Sequence, residues 1–409
     1  MPEAKNILYI VHDAQVYGSQ QSLSLILDRI CNASKDEEPI QFHPYISLAR
    51  SGPLSDRLCT LPGLTLLQHK RLQWFKHDKR SPIDQFLDPL LVLFNAPSRI
   101  LKIYRHIKKH KIDLVHSNSV VSLEGALAAK IAGVPHFWHI RELFMEDSPK
   151  LLPVFGKRLS RFIISALSSR VLCISSVVRQ QFNDAQRKNP QKYPLLYNAL
   201  SPKQIPDTLP EPRFFGSNRL TIGYVGRLSE GKGAHDLLEA LALLKSSLTQ
   251  TQMPQLKIAG DFVDAAYENR IRDLISRHHL AGHVDFLGYQ ENIQDFYRQI
   301  DLLVLPSKNE PFGRVIIEAM AYGVPVIGAD SGGIPEIITH QDTGWLYPVG
   351  DIPALADLIT LLALEASTQK EGELRRIAQK AGRMVRERFT IEQQWRQLRE
   401  LYKATYQAQ

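Results

Sequence analysis

Two carboxylates, Glu310 and Glu318, stand eight positions apart in the segment SKNEPFGRVIIEAMAYGVPVIGADSGGIPEI, residues 307–337. Glu318 lies in an apolar run, where an ionised side chain is costly unless it is paired or hydrogen-bonded. Pro311 pushes Glu310 away from helical geometry and itself suits a first helical turn. Glu310 is therefore expected in a loop, with a helix starting near Phe312 to Arg314 and Glu318 a turn or more inside it. Free N–H groups at that start, with Arg314 beside them, would favour an anion. Glu310 is placed to reach hydroxyls, and Glu318 to accept a bidentate contact. On spacing alone, pairing of Glu318 with a nearby Arg or Lys is the simpler outcome. Paired carboxylates also suit glycoside hydrolysis, but only when both flank one bond. One in a loop and one inside a helix fit that poorly.

A second segment, YVGRLSEGKG at residues 224–233, nearly matches the phosphate-loop pattern from Gly226 to Lys232. Gly233 stands where Ser or Thr would hold magnesium, which disfavours a nucleotide hydrolase. A glycine turn at a helix start remains, with Arg227 and Lys232 beside it. That suits a diphosphate; two solvated cations on an ordinary turn are the alternative. His106 and His110 are one helical turn apart but lack a third metal ligand, and His278, His279 and His283 read the same way. No metal site is expected. There is no Asp-x-Asp pair, no G-x-S-x-G elbow, and VHDAQVYGSQQ is not the dinucleotide fingerprint.

These segments need a scaffold. The chain has 409 residues, 44% hydrophobic and 22% charged, enough for two domains of about 200 residues. Short apolar runs alternate with helix-period segments, and the alternation occurs twice. Strand candidates are NILYIVHD, PYISLA, IDLVHSNS, PHFWHI, RVLCISS and YPLLYNA, then LTIGYVG, LKIAGD, VDFLGY, DLLVLPS and PVIGAD. This predicts an α/β fold of two doubly wound parallel sheets. The expected division is 1–200, a proline-rich linker 201–218, a second domain 219–385, and a final helix 386–409 packing back on the first. Ligands bind beyond the carboxyl ends of such strands. Gly18, His116, Ser117, Asn118, His139, Asn198, Arg227, Lys232, Gly260, Glu310 and Gly332 gather there.

Three dispersed cysteines give no disulfide framework. The N-terminus lacks a signal-peptide pattern, and no run is long enough to span a bilayer. The expectation is a cytoplasmic protein. A net charge of +8 suits anionic ligands. Residues 66–111 carry eleven Lys or Arg against three Asp, with Trp74, Phe75 and FLDPLLVLF interleaved. That region reads either as a surface for an anionic membrane or as a solvated helix and loop.

The segments GRLSEGKG, EPFGRVIIEAMAYGVPVIGADSGGIPEII and TGWLYPVGD resemble glycosyltransferase family 4, retaining enzymes of the GT-B fold. More loosely, YGSQQSL, GVPHFWHIREL, ISSVVRQQF and LLYNAL resemble that family's N-terminal domain. The resemblance implies two Rossmann-like domains facing a cleft. It implies that Arg227 and Lys232 neutralise a donor diphosphate, Glu310 contacts the sugar, and Glu318 the ribose. Backbone groups from Phe312 through Gly313 and Arg314 to Val315 would hold sugar and phosphate. His139 matches the strand-end histidine near the sugar, Gly18 the loop against the diphosphate, and Asn198 the Asn-Gly position. Departures are Gly-Ser at 18–19, Ala199 after Asn198, and Arg314 where the family is often apolar.

The expected activity is metal-independent, cofactor-free transfer of a sugar from a nucleotide diphosphate sugar to an acceptor hydroxyl, with retention. It would serve envelope polysaccharide or glycolipid synthesis, with a lipid-linked or polysaccharide acceptor, peripheral at the inner face of the membrane. The alternatives are an epimerase of the same fold and a noncatalytic basic nucleic-acid-binding protein. The latter is disfavoured because aromatic stacking modules are absent.

Overall fold

The computed structural model describes residues 3–32, 40–76, 81–144, 151–211, 219–367 and 372–407. The chain divides into two compact units, residues 1–198 with 391–409, and residues 199–390. Residues 201–211 of the expected linker thus belong to the second unit, and 212–218 lie outside the described residues.

In the first unit the strands are β1 (Glu3–Val11), β2 (Ile40–Leu48), β3 (Thr65–Gln68), β4 (Phe75–Lys76), β5 (Leu114–Ser117), β6 (His136–Ile140), β7 (Leu152–Pro153) and β8 (Arg170–Cys173). Six form one sheet in the order β3-β2-β1-β5-β6-β8, all parallel. The two-residue β4 and β7 pair separately. The central strands are buried on both faces, as a helix-covered parallel sheet requires. The stretch YPLLYNA is not a strand: it makes a single bridge, Cys173 with Leu195. LTLLQ supplies β3 instead, on the edge where its alternating half-burial gives a weak apolar signal. The helix Ile391–Gln407 buries Trp395, Leu398 and Tyr402 in the core that holds Ile7, Tyr9 and Ile46.

The second unit holds β9 (Thr221–Val225), β10 (Gln255–Ala259), β11 (Val284–Gly288), β12 (Leu302–Leu305), β13 (Val326–Ala329) and β14 (Trp345–Tyr347). They pair in parallel in the order β11-β10-β9-β12-β13-β14. All five expected strands form; the three-residue β14 was too short for a periodic signal. Both main sheets therefore run 3-2-1-4-5-6 in their own strand count. In each, the order reverses beside the first strand, which opens a crevice at the carboxyl ends of its neighbours.

Candidate functional site

The helix expected after Pro311 runs Arg314–Ala321, and Gly313 caps it in the left-handed region at φ 97°. Glu310 stays in the loop after β12. Its carboxylate accepts from Lys232 Nζ at 2.5 Å and from Ser307 Oγ at 3.3 Å. The Lys232 side chain is 32% exposed and that of Glu310 13%, so the pair sits at a mouth rather than in a core. Lys232 ends a short 3₁₀ turn, Glu230–Lys232, after β9. Backbone bonds fix the two loops together: Lys308 N donates to Gly231 O at 3.0 Å. From the loop after β13, Gly333 N donates to Glu310 O at 2.7 Å. Gly332 has φ 58°, and a Cβ there would lie 2.1 Å from Glu310 O. Only glycine permits that approach. Three adjacent strand ends thus hold one carboxylate and one ammonium.

Glu318 lies deeper and has two partners. Arg314 Nε stands 2.9 Å from Oε1, an ion pair without hydrogen-bond alignment, and Tyr297 donates its hydroxyl to Oε2 at 2.9 Å. Burial, then the Glu318 charge, pushes the Tyr297 phenol well above its ordinary range, so it remains a donor. The simpler pairing expectation for Glu318 is thus realised; each of its oxygens keeps a second lone-pair direction for a ligand. Phe312 is buried, packing edge-on to Phe389, and Val315 is the second helical residue. Arg227 is exposed on the turn after β9. Lys308 and Tyr297 are the contributors that spacing did not single out.

In the first unit the strand ends carry a different chemistry. Arg141 is 5% exposed and donates to Asn118 Oδ1 at 2.9 Å and to Asn198 Oδ1 at 2.7 Å. Asn118 donates onward to Ser19 O at 3.1 Å, which ties in the helix Gly18–Cys31. Gly18 is the first residue of that helix rather than a loop residue, and nothing crowds a Cβ there.

Arg141 Nη2 also lies 3.4 Å from His139 Nδ1. A guanidinium only donates, so His139 Nδ1 accepts and its proton is on Nε2. His116 Nε2, 3.3 Å from the same Nδ1, must then be a donor. His116 Nδ1 is left as an acceptor for the Tyr402 hydroxyl at 2.6 Å, and Tyr402 takes a hydrogen bond from Tyr9 at 3.1 Å. The donors run one way, Tyr9 to Tyr402 to His116 to His139. Burial, then the Arg141 charge, holds both imidazoles well below their ordinary pKa and therefore neutral. Among the described residues no partner reaches the buried His139 Nε2, which is a directed N–H donor rather than a base. Arg141 and Tyr402 were missed in sequence: Arg141 sits two residues beyond His139, and Tyr402 is hundreds of residues away.

Among the described residues, no group of three or more His, Cys, Asp or Glu is arranged to hold a metal ion. His106 bonds to Gln68 O and His283 lies by Arg219.

Residues 207–385 match the model for "Glycosyl transferases group 1", and residues 60–204 match "Glycosyltransferase Family 4". The chain belongs to the group 1, family 4 glycosyltransferases. It is 36% identical over 151 residues to N-acetyl-alpha-D-glucosaminyl L-malate synthase of Bacillus anthracis, covering 37% of this chain and 38% of that protein. It is 29% identical over 272 residues to the amylovoran biosynthesis glycosyltransferase AmsK of Erwinia amylovora, covering 64% and 60%. The chain thus spans between about two fifths and three fifths of these relatives. The crystal structure of Anabaena Alr3699/HepE in complex with UDP and glucose aligns over 98% of this chain and all of that one, with 23% identity and a TM-score of 0.76. The two-domain Rossmann-like fold is therefore that of GT-B glycosyltransferases.

Proposed function

We propose that this protein transfers a sugar from a nucleotide diphosphate sugar to an acceptor hydroxyl with retained configuration. The Lys232–Glu310 pair carries the reading, held where three strand ends meet in the second unit. Lys232 with Arg227 would face the diphosphate as it gains charge on leaving. Preorganised charge of that kind is usually the largest catalytic contribution. Glu310 would take sugar hydroxyls, so the ion pair would exchange partners when donor binds. Glu318 would accept from the ribose through its remaining lone pairs. Phe312, Gly313, Arg314 and Val315 would supply the helix start toward sugar and phosphate, and Gly18 and Asn198 the first unit's side. His139 Nε2–H would donate to a sugar oxygen. The chemistry assigned to these residues needs neither metal nor cofactor.

A UDP-sugar is the first donor to test, because the similar Anabaena protein is seen with UDP and glucose. The acceptor proposed is a polysaccharide or a lipid-linked one; the relative AmsK is named for amylovoran biosynthesis. We extend the proposal to a cytoplasmic placement, peripheral at the inner face of the membrane. The alternatives, an epimerase or a nucleic-acid binder, gain no observation. A thermal-shift screen with UDP-, GDP- and ADP-sugars tests the donor site, with Glu310→Ala and Lys232→Ala as controls. At least one sugar nucleotide is expected to stabilise the native chain and to lose that effect in both variants. No stabilisation, or equal stabilisation of the variants, would sink the assignment.

A further inference from the structure

The helix Pro82–Lys109 has 28 residues and spans about 42 Å at 1.5 Å per residue. It has two apolar faces. One, with Ile103 and Ile107, packs in the core beside Leu8 and Ile10. The other faces water. Between positions 83 and 94 only Asp88 and Val92 are buried, and Phe94, Phe86 and Ile83 are 84%, 71% and 70% exposed. Scattered exposed apolar residues are ordinary, but a contiguous patch of them marks an interaction site.

The outward face has an order along its length. Positions 83, 87, 90 and 94 follow three- and four-residue steps, position 101 lies seven residues further along the same face, and all five are apolar. The same stripe continues to Arg105 and Lys109, both exposed, with exposed Lys102 beside it. The helix carboxyl end is anchored at the amino end of β1, where Asn6 Nδ2 donates to His110 O at 3.1 Å. His106 already reaches Gln68, the last residue of β3. The apolar amino half therefore lies beyond the level of Gln68, the carboxyl end of β3, held on its inner side by buried Val92 and by Asp88, which pairs with Lys76 at 3.2 Å.

We infer that this outward face is a docking surface for an anionic lipid bilayer, with Ile83 to Leu101 inserted among the acyl chains and Lys102, Arg105 and Lys109 against the headgroups. An apolar stripe that continues into a cationic one is what an interfacial helix presents to such a surface. Among the described residues no helix is long and apolar enough to cross a membrane, so this one lies on it. The inference rests on the peripheral placement proposed above and not on the transfer chemistry.

The test is co-sedimentation of the whole chain with phosphatidylcholine vesicles, with and without phosphatidylglycerol, and with no sugar nucleotide present. The chain is expected to pellet with the anionic vesicles. Combined Phe86→Ser, Leu90→Ser and Phe94→Ser should lower partition about tenfold or more. Combined Lys102→Glu, Arg105→Glu and Lys109→Glu should lower it severalfold, in parallel with added salt. All six side chains are exposed, so unchanged melting curves check the fold. Should the serine variant melt early, the charge-reversed one carries the test alone. Partition unaffected by either variant overturns the inference. So does a native dimer that the serine variant dissociates while no vesicle binds. A failed donor screen would leave vesicle partition untouched, which keeps the two readings separable.

Discussion

The two sheets share one strand order and differ in how their edges were furnished. The second unit places its chemistry in short contiguous segments: Glu310, Gly313, Arg314 and Glu318 within nine residues, and Gly332 one strand later. The first unit assembles its edge from Ser19, His116, Asn118, His139, Arg141, Asn198 and Tyr402, drawn from the whole length of the chain. The second edge keeps a partly exposed ion pair ready to exchange partners. The first is a buried, fully oriented hydrogen-bond array with one donor left over. A site that must respond to a charged ligand is built near water, whereas one that must point a neutral donor is built dry, where orientation is costly to lose.

The comparison breaks most sharply at the ion pair. Lys232→Ala should lower kcat/KM about a hundredfold to a thousandfold, the scale of losing one preorganised charge contact, with the melting temperature little changed. A steady-state assay with the preferred sugar nucleotide checks both halves. In the first unit the weight should fall on stability instead. Arg141→Met strands two buried amide oxygens, at Asn118 and Asn198, and is expected to cost about 3 kcal/mol, read by chemical denaturation. If Arg141→Met melts normally and loses only activity, the two edges are more alike than described.

Acid should separate the units next. His116, His136 and His139 are buried and neutral, His136 with its pKa pushed down to about 3 by burial. Unfolding lets each take a proton near its ordinary value. Their contribution is therefore whole above about pH 6.5 and lost as pH falls below it, by up to about 1.4 kcal/mol per pH unit for each. Proton-linked melting between pH 7 and about pH 5 should weaken the first unit first; a second unit that melts earlier contradicts this. The smallest effect sharpens the donor chain. Tyr402→Phe removes the hydroxyl that fixes His116 and is expected to cost about 1 kcal/mol with a severalfold drop in kcat. Nitrogen-15 spectra of the imidazoles should show His116 losing its single tautomer.

This contrast also explains what could be read before folding. Strands buried on both faces announce themselves as apolar runs, so β12 and β13 were legible, β9 to β11 were read from shorter apolar runs although the edge strand β11 is half-exposed, and the glycine and proline punctuation around Glu310 gave its loop and helix. The half-buried edge strand β3 and three-residue β14 carry too few apolar residues to stand out, and YPLLYNA is apolar because it packs, not because it pairs. Lys232 and Glu310 were each legible, but their bond was not. It depends on glycines 233, 332 and 333, where a Cβ would meet the backbone at Pro306, Glu310 and Pro311, bringing backbones together across strands. Arg141 and Tyr402 act only through partners far away in sequence, which no local pattern encodes.

The last helix has one further consequence, for the order in which the chain acquires structure during synthesis. Tyr402, Trp395 and Leu398 complete the core around β1, yet they leave the ribosome after the whole of residues 199–390. Residues 199–390, by contrast, are contiguous and hold their whole sheet. Domains generally fold amino-terminal first; here the later domain is the one able to finish early, while the earlier one waits with an open core for its closing piece.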